Sequence, residues 1–279
     1  LNKIFSDFRK IEKTSSGEGD LENLGFFKEF YTFFKSVIYA KKFSKYKPDL
    51  LLAHFLSEPS TITMHTSKVL NIPYAISAHA KDILVTSEYA REKVKTSKFI
   101  TICNDNAYAH VLDQAKGLGT SNVYLKYHGV DVQGLIKSVE NKDFRPKKPL
   151  IFCVGRLVEK KGLKYLIEAT SILKSKGISF LVNIIGSGPL YQELLNQIKS
   201  ANLEEDVKIL GENKGLSNED TLIHFKSASI FAFPSIKTDE GDVDGVANVL
   251  IEAGVFKVPV VTTDAGGIGE LITNDITGL

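Results

Sequence analysis

The chain has 279 residues, 43% of them hydrophobic and 24% charged, which suits one large domain or two of ordinary size. This composition is typical of a soluble globular protein, and no apolar run reaches the length of a membrane-spanning helix. The net charge of +2 conceals an asymmetry: residues 1–150 hold 23 Lys and Arg against 16 Asp and Glu, whereas residues 151–279 hold 12 against 17. A basic and an acidic half predict two units with different partners, although solvated surface lysines explain the basic half more simply.

The cysteines and the chain ends bear on the compartment. Cys103 and Cys153 lie in apolar runs without metal-ligand spacing, so we expect two buried thiols in a reducing compartment. No signal peptide is visible, which predicts a cytoplasmic protein, with peripheral contact at the inner face of the membrane as an open alternative. The chain does not begin with Met and stops at "DITGL", after a turn signal, so we expect a fragment that is incomplete at both ends.

Residues 1–48 contain a helix-like pattern with two interpretations. The first 25 residues, with "KTSSGEGD", predict loose order. The following stretch has large apolar side chains at helical spacing and lysines beside them: Phe26, Phe30, Phe33, Phe34 and Val37, flanked by Lys35, Lys41, Lys42 and Lys45. This pattern fits a helix packed on a sheet or an interfacial helix on an anionic membrane.

Short apolar runs then alternate with helical patterns along the rest of the chain. The first half holds strand-like "DLLLAHF", "PYAISAHA", "FITICN" and "NVYLKYHGV", and residues 131–149, ending at Pro149, resemble a linker. The second half holds "LIFCVG", "SFLVNIIG", "VKIL", "SIFAFP" and "VPVVTT". Such alternation predicts an α/β fold of two Rossmann-like domains, residues 1–148 and 149–279, with parallel sheets that face a central cleft.

Two cations follow the strand "LIFCVG". A strand, a glycine turn and a helix present backbone N–H groups to an anion, and Arg156 and Lys161 stand five residues apart across this turn. Both heads can converge on a pyrophosphate, which a guanidinium binds bidentately. Two surface cations are the alternative, although a helix start disfavours positive charge.

Further candidates follow the later strands. "IIGSGPL" contains Gly186 and Gly188 in a second strand–glycine–helix turn, and "FAFPS" ends a third strand at Ser235. Gly245 and Val246 open an apolar helix, so their N–H groups could hold a phosphate. Glu252, two turns further, could accept hydrogen bonds from ribose hydroxyls, or it could pair with a nearby Lys or Arg.

Histidines end strands of the first half. His79 follows "YAIS" directly, with Asp82 three residues later, and His54 and His128 end other strands with weaker support. A histidine at this end of a strand could act on a sugar, but a structural role is commoner. The sequence has no H-x-x-H or C-x-x-C cluster, and its nearest D-x-D, "DVD", lies in a glycine loop that needs no metal to explain it. We therefore expect no metal site.

The motifs "GRLVEKKG", "IGSGPL", "ILGE", "FAFPS", "DGVANVLIEAG" and "PVVTTDAGGIGELI" stand in the order found in one family. Residues 150–279 resemble strongly, and residues 48–132 more loosely, the retaining nucleotide-sugar glycosyltransferases of the GT-B fold. The nearer likeness is to the family-four branch that builds exopolysaccharide and lipopolysaccharide.

The resemblance implies a retaining transfer of a sugar from a nucleoside-diphosphate donor to a glycan or lipid-linked acceptor, with no divalent cation or other cofactor. Arg156 and Lys161 match the pair that contacts the donor diphosphate, Glu252 matches the glutamate that holds the ribose, and Asp244 takes the place of a glutamate eight residues earlier, beside the sugar. His79 matches the first-domain histidine that faces the transferred sugar.

The sequence departs from the family pattern in three ways. Asp244 is one methylene shorter than the usual glutamate, Gly269 stands where "GGIPE" has proline, and the first-domain glycine-rich loop and the last C-terminal helices are not found. A non-catalytic nucleotide-sugar-binding subunit is therefore the alternative function. The spacing from Asp244 to Glu252 argues against an epimerase, and the lack of a G-x-G-x-x-G unit argues against a dinucleotide dehydrogenase.

Overall fold

The computed structural model describes residues 22–84 and 88–279, with side chains from Glu29 onward except that of Ala80. The start predicted to be loosely ordered lies outside these residues, apart from 22–25, which already belong to a helix. The helices are α1 Glu22–Phe43, α2 Glu58–Leu70, α3 Ala80–Leu84, α4 Ala90–Thr96, α5 Asp105–Gln114, α6 Val132–Ser138, α7 Leu163–Ser175, α8 Tyr191–Ser200, α9 Asn218–Ser227 and α10 Asn248–Val255. The strands are β1 Leu51–His54, β2 Tyr74–Ala78, β3 Phe99–Ile102, β4 Val123–Leu125, β5 Leu150–Val154, β6 Leu181–Ile185, β7 Val207–Leu210, β8 Ile230–Phe233 and β9 Val260–Thr262, and short 3₁₀ helices span Glu159–Lys161 and Ile268–Glu270.

The chain divides into two compact units, Leu1–Tyr127 and His128–Leu279. The described part of the first unit contains a parallel sheet of order β1-β2-β3-β4, in which Ile76 lies opposite Ile100. Both isoleucines are fully buried, because helices cover the middle strands of the sheet. The alternation of apolar runs and helical patterns therefore correctly predicted a parallel α/β unit.

The second unit contains a parallel sheet of order β7-β6-β5-β8-β9. From β5 the chain first adds β6 and β7 on one side and then returns to add β8 and β9 on the other. The place where the order of strand addition reverses, between β5 and β8, is the switch point of the sheet. Parallel α/β sheets bind ligands at the carboxyl ends of the strands at this point. The loops after β5 and β8 are therefore the first place to look for a site, and the predicted α/β fold class is confirmed.

The predicted linker contains an ordered helix of the second unit. Val139, which follows α6, is 1% exposed and belongs to the core formed by β5, β8 and α9, with Leu135 and Phe144 packed against it. The Lys226 ammonium donates to the carbonyls of Val139 at 3.1 Å and Lys142 at 2.7 Å. Residues 128–148 thus pack with the second unit rather than the first, because three apolar side chains in this polar stretch anchor it.

Helix α1 packs one face on α2 and leaves the other open. Phe33 and Ala40 are buried, whereas Phe30 and Phe34 are 49% and 57% exposed. The helical prediction is confirmed, and the core-packing interpretation applies to the Phe33 face. Within the described residues, no helix combines the length and hydropathy that crossing a membrane requires.

Candidate active site

Close backbone contacts hold the loops at the carboxyl ends of β5, β6 and β8 together. A Cβ on Gly162, whose φ is +59°, would lie 1.9 Å from the Pro234 carbonyl oxygen, and a Cβ on Gly186 would lie 1.9 Å from that of Gly155. Real Cβ atoms do not approach so closely, so only glycine allows these loops to pack backbone on backbone. The result is a tight arrangement of loops at the switch point of the second sheet.

A buried carboxylate lies in this arrangement. The Lys161 ammonium is 2.8 Å from Asp244 Oδ2, and the Ser235 hydroxyl is 2.7 Å from the same oxygen. The Asp244 residue is 9% exposed and Ser235 is fully buried. The Lys161 ammonium also lies 4.5 Å from the centre of the Phe233 ring, a cation–π contact. Lys161 and Asp244, predicted to act on different parts of a donor, are therefore in direct contact.

A second lysine completes the group and was missed by the sequence analysis. The Lys160 ammonium lies 3.0 Å from Asp242 Oδ1 and 3.5 Å from Asp244 Oδ1, and its side chain is 9% exposed. The Lys160 carbonyl accepts from the amide of Ile236 at 2.8 Å. The available signal was the doubled lysine of "EKKG", since a 3₁₀ turn directs successive side chains differently. We call Lys160, Lys161, Asp242 and Asp244 the lysine–aspartate cluster.

Arg156 differs from Lys161 in its surroundings. Its side chain is exposed, and within the described chain no hydrogen bond or ion pair engages its guanidinium. Lys161 is committed to Asp244, so the predicted convergence of the two cations on one anion stays a prediction. What the structure provides is one available guanidinium and one ammonium neutralised by a carboxylate.

The glycine-turn residues have varied roles. The Gly188 amide donates to the Asn213 side-chain oxygen at 2.7 Å, which occupies this group. The apolar helix begins at Asn248 rather than at Gly245, so Gly245 and Val246 lie in the preceding loop. The Gly267 amide donates to the Asp244 carbonyl at 3.0 Å and ties this loop to the one after β9. The predicted helix start was wrong by three residues because Val246 and Ala247 look helical in sequence.

Glu252 lies on α10, half-buried. Burial raises the pKa of its carboxyl group above the ordinary value. Within the described part of the chain no side chain donates to it and no cation pairs with it, which argues against the predicted alternative of a Lys or Arg partner. A half-buried carboxylate without donors retains the capacity to accept hydrogen bonds from a ligand.

His79 directly follows β2, as predicted. Its ring is 5.2 Å from the Phe55 ring, and Nδ1 lies 3.8 Å from the Cys103 sulfur. The buried Asp82 carboxylate accepts from the His79 amide at 3.0 Å and from the Leu56 amide at 2.5 Å. Asp82 thereby joins the ends of β1 and β2 and fixes the backbone from which the His79 ring projects.

The structure gives less support for a role of the other first-half histidines and of the cysteines in the site. His54, the last residue of β1, and His128 are exposed. Cys103 and Cys153 are buried thiols, as expected, and burial raises the pKa of Cys153 to about 12. Such a thiol has no nucleophilic character at neutral pH.

Two parallel α/β units, the second with charged and glycine-lined loops at its switch point, define a protein of the Rossmann-like class. Comparison with known proteins narrows this class. The model of the family described as "Glycosyl transferases group 1" matches residues 136–279, just over half of the chain, and the chain belongs to this family.

Proteins named for polysaccharide synthesis are similar to this chain in sequence. The chain is 39% identical over 128 residues to the amylovoran biosynthesis glycosyltransferase AmsK of Erwinia amylovora, a match that covers 46% of this chain and 31% of AmsK. It is 28% identical over 254 residues to WcaL of Escherichia coli K12, named as a colanic acid biosynthesis glycosyltransferase, covering 87% of this chain and 60% of WcaL. The chain therefore spans less than two thirds of the length of either relative.

A solved structure confirms the fold. The Anabaena protein HepE, crystallised in complex with UDP and glucose, superimposes with a TM-score of 0.64 over 88% of this chain and 66% of HepE, at 18% sequence identity. At this identity the likeness shows the GT-B type of fold alone.

Proposed function

We propose that this chain belongs to a retaining glycosyltransferase that acts at the cytoplasmic face of the membrane in the synthesis of a cell-surface polysaccharide. It would move a sugar from a nucleoside-diphosphate donor to a glycan or lipid-linked acceptor. The observation that carries the proposal is the buried Lys161–Asp244 pair at the switch point of the second sheet, with Arg156, which has no partner among the described residues, on the same loop. The relatives' names in polysaccharide synthesis support the acceptor class.

Donor diphosphate would bind through charge. Arg156 offers a guanidinium with no competing partner within the described residues, and Lys161 offers an ammonium once it leaves Asp244. Cations fixed where negative charge develops on the leaving diphosphate stabilise the transition state. The Gly245 and Val246 amides are proposed to add hydrogen bonds from their loop. This charge would replace a divalent cation, so we expect activity to persist in EDTA.

The acidic residues would hold the rest of the donor. Glu252 is proposed to accept the ribose hydroxyls, because its half-buried carboxylate has no donor within the described residues and two hydroxyls would satisfy it. Asp244 Oδ1 lies 3.5 Å from the Lys160 ammonium and has lone pairs left for a sugar hydroxyl. His79 is proposed as the contribution of the first unit to the transferred sugar. Ser235 is proposed to act through Asp244.

Calorimetric titration tests the donor site. Arg156→Ala and Lys161→Ala are each expected to weaken binding of UDP or GDP by about tenfold or more, because each removes a charge-assisted contact to phosphate. Arg145→Ala and Lys164→Ala, exposed residues of the same types in the same unit, are the matched controls and should change affinity by less than about twofold. Unchanged affinity in the Arg156 and Lys161 variants would show that the site is misplaced.

Transfer and binding are separate questions. The complete protein should release UDP or GDP from a sugar nucleotide when an acceptor is present, and slowly by hydrolysis when it is absent. NMR of the product should show the anomeric configuration of the donor. Affinity for the donor with neither transfer nor hydrolysis would favour the non-catalytic binding subunit, to which the aspartate at position 244 lends support.

Peripheral membrane contact is a separate proposal. The exposed face of α1 combines Phe30, Tyr31 and Phe34 with lysines near its end, Lys41 and Lys42, a composition suited to anionic lipid. Phe30→Ser/Phe34→Ser should reduce sedimentation with vesicles containing 30% phosphatidylglycerol. Phe33→Ser cannot serve as a control, because Phe33 is buried. Tyr165→Ser is the control, because Tyr165 on α7 is an aromatic residue with 45% of its surface exposed, close to the 49% of Phe30. Equal sedimentation of all variants would contradict this contact.

A further inference from the structure

The Lys160 ammonium lies between two carboxylates. Lys160 is also the neighbour in sequence of Lys161, the residue proposed to bind the donor diphosphate. Its ammonium is 3.0 Å from Asp242 Oδ1 and 3.5 Å from Asp244 Oδ1, while Lys161 holds the other oxygen of Asp244 at 2.8 Å. The lysine–aspartate cluster thus contains two positive and two negative charges. All four side chains are mostly buried, between 9% and 24% exposed, so solvent screens their interactions weakly.

We propose that Lys160 is a positioning residue that keeps Lys161 available to the donor diphosphate; this rests on the proposed function. When Lys161 turns from Asp244 to a phosphate, the buried Asp244 carboxylate loses its closest cation. An unpaired buried carboxylate is unfavourable, and this would oppose the movement. The Lys160 ammonium, already within 4 Å of Asp244, compensates that carboxylate and lowers the free energy of releasing Lys161.

Asp242 acts in the opposite sense in this scheme. It competes with Asp244 for the Lys160 ammonium, and it adds negative charge near the proposed diphosphate. The Asp242 amide donates to the Thr238 hydroxyl at 3.1 Å, and the Thr238 amide donates to the Asp242 carbonyl at 2.9 Å, so the loop holds this residue through its backbone. A change of its carboxylate to an amide therefore alters the charge and leaves these backbone contacts in place.

The scheme predicts opposite effects from two substitutions that break the same ion pair. Lys160→Met leaves one ammonium for two carboxylates, which holds Lys161 on Asp244 and should lower nucleoside-diphosphate affinity by about tenfold. Asp242→Asn leaves two ammoniums for one carboxylate and should raise that affinity by about threefold or more. The double variant restores the charge balance and should return to within about threefold of the wild type.

A purely structural role for the Lys160–Asp242 pair predicts something else. Each single variant and the double variant lose the bridge between the 3₁₀ turn and the loop at 238–244. All three would then lower the affinity. The sign of the Asp242→Asn effect and the recovery in the double variant therefore separate the electrostatic role from the structural one.

The experiment titrates UDP and GDP into the full chain by calorimetry and uses the one that binds the wild type more tightly for the variants. The matching nucleoside, uridine or guanosine, is the control ligand, because it lacks phosphate and its affinity should not change by more than about twofold. Lys160→Arg keeps the positive charge and should bind the diphosphate within about threefold of the wild type. If Lys160→Met fails to fold, Lys160→Arg and Asp242→Asn still test the proposal.

The outcomes are distinct. Opposite shifts for Lys160→Met and Asp242→Asn with recovery in the double variant support the positioning role. If the wild type binds UDP or GDP and Asp242→Asn or the double variant loses affinity, the positioning role is overturned and the proposed function stands. If the wild type binds neither UDP nor GDP, both proposals are overturned.

Discussion

The Asp82 carboxylate ties the end of β1 to the end of β2, and its replacement by asparagine tests how much of the first unit depends on it. Asp82 is 5% exposed and accepts from the amides of Leu56 at 2.5 Å and His79 at 3.0 Å. An asparagine at this position has one accepting oxygen, and its NH₂ group would face one of these two N–H donors. With the amide oxygen at the place of Oδ2, which lies 3.2 Å from the His79 amide, both N–H groups keep an acceptor. The hydrogen bond from the His79 amide to Oδ1 is lost, the NH₂ group faces that N–H, and the two remaining hydrogen bonds go to a neutral oxygen.

The expected loss follows from these changes. A hydrogen bond to a charged group contributes about 1.5–3 kcal/mol, and the two that remain are weakened because a neutral amide oxygen accepts less strongly than a carboxylate. Asp82→Asn should therefore lower the free energy of unfolding by about 2–4 kcal/mol. Asp113→Asn, which removes an exposed carboxylate paired with Lys116, is the control and should leave the free energy of unfolding nearly unchanged.

Urea denaturation followed by far-ultraviolet circular dichroism measures both variants, since the chain contains no tryptophan for fluorescence. Hydrogen-exchange mass spectrometry over residues 52–60 and 76–83 should show faster exchange of the Leu56 and His79 amides in Asp82→Asn alone. A loss below about 1 kcal/mol with unchanged exchange would refute the reasoning.

Three other substitutions or conditions test the structure. Gly186→Ala should destabilise the second unit by about 1–3 kcal/mol in urea denaturation, because its Cβ would lie 1.9 Å from the Gly155 carbonyl oxygen. The control, Gly254→Ala on α10, has open space around it and should be neutral or stabilising. Equal effects of the two substitutions would contradict the backbone packing. In a Cys103→Ser background, Cys153 should react with a thiol reagent at pH 8 about a hundredfold slower folded than unfolded, since burial raises its pKa to about 12; rapid labelling of the native chain would disprove this. Burial, with Lys68 and Lys93 nearby, lowers the pKa of His65 to about 4, so the unfolded chain binds this proton first and stability should fall by about 2–4 kcal/mol as pH drops from 6.5 to 4. His65→Gln should flatten that part of the pH profile, and an unchanged slope would exclude His65 as its source.

The sequence predicted the parts of the fold that depend on local pattern. Apolar runs such as "LIFCVG" and "SFLVNIIG" are buried on both faces, so their composition alone identified β5 and β6. The linker at 131–149 was misread because its three core-facing side chains, Leu135, Val139 and Phe144, are diluted by polar residues. A helix of seven residues, Val132–Ser138, spans only about two turns and is too short to show a clear period in the sequence.

The sequence singled out several residues of the candidate site but none of their pairings, and it missed Lys160. Glycine turns and cations after the strands pointed to Arg156 and Lys161, the apolar run around it pointed to Glu252, and the resemblance to the family pointed to Asp244. The bond between Lys161 and Asp244 joins residues 83 apart in the chain, and that between Lys160 and Asp242 joins residues 82 apart. Such pairings depend on how closely the loops after β5 and β8 approach, which the glycine contacts determine in three dimensions.

The aspartate at position 244, one methylene shorter than the glutamate of the resembling family, has a physical explanation in these contacts. Its Oδ2 already lies 2.8 Å from the Lys161 ammonium and 2.7 Å from the Ser235 hydroxyl, and the Gly267 amide holds its carbonyl at 3.0 Å. The backbone is therefore close enough for a short side chain to reach the lysine, and a longer one would have to fold back within a buried space. Because the same carboxylate neutralises the ammonium that the proposed reaction needs, a donor must displace Asp244 from Lys161 as it binds. The affinity of this protein for a nucleoside diphosphate should accordingly depend on the charges around Asp244 as much as on the groups that touch phosphate.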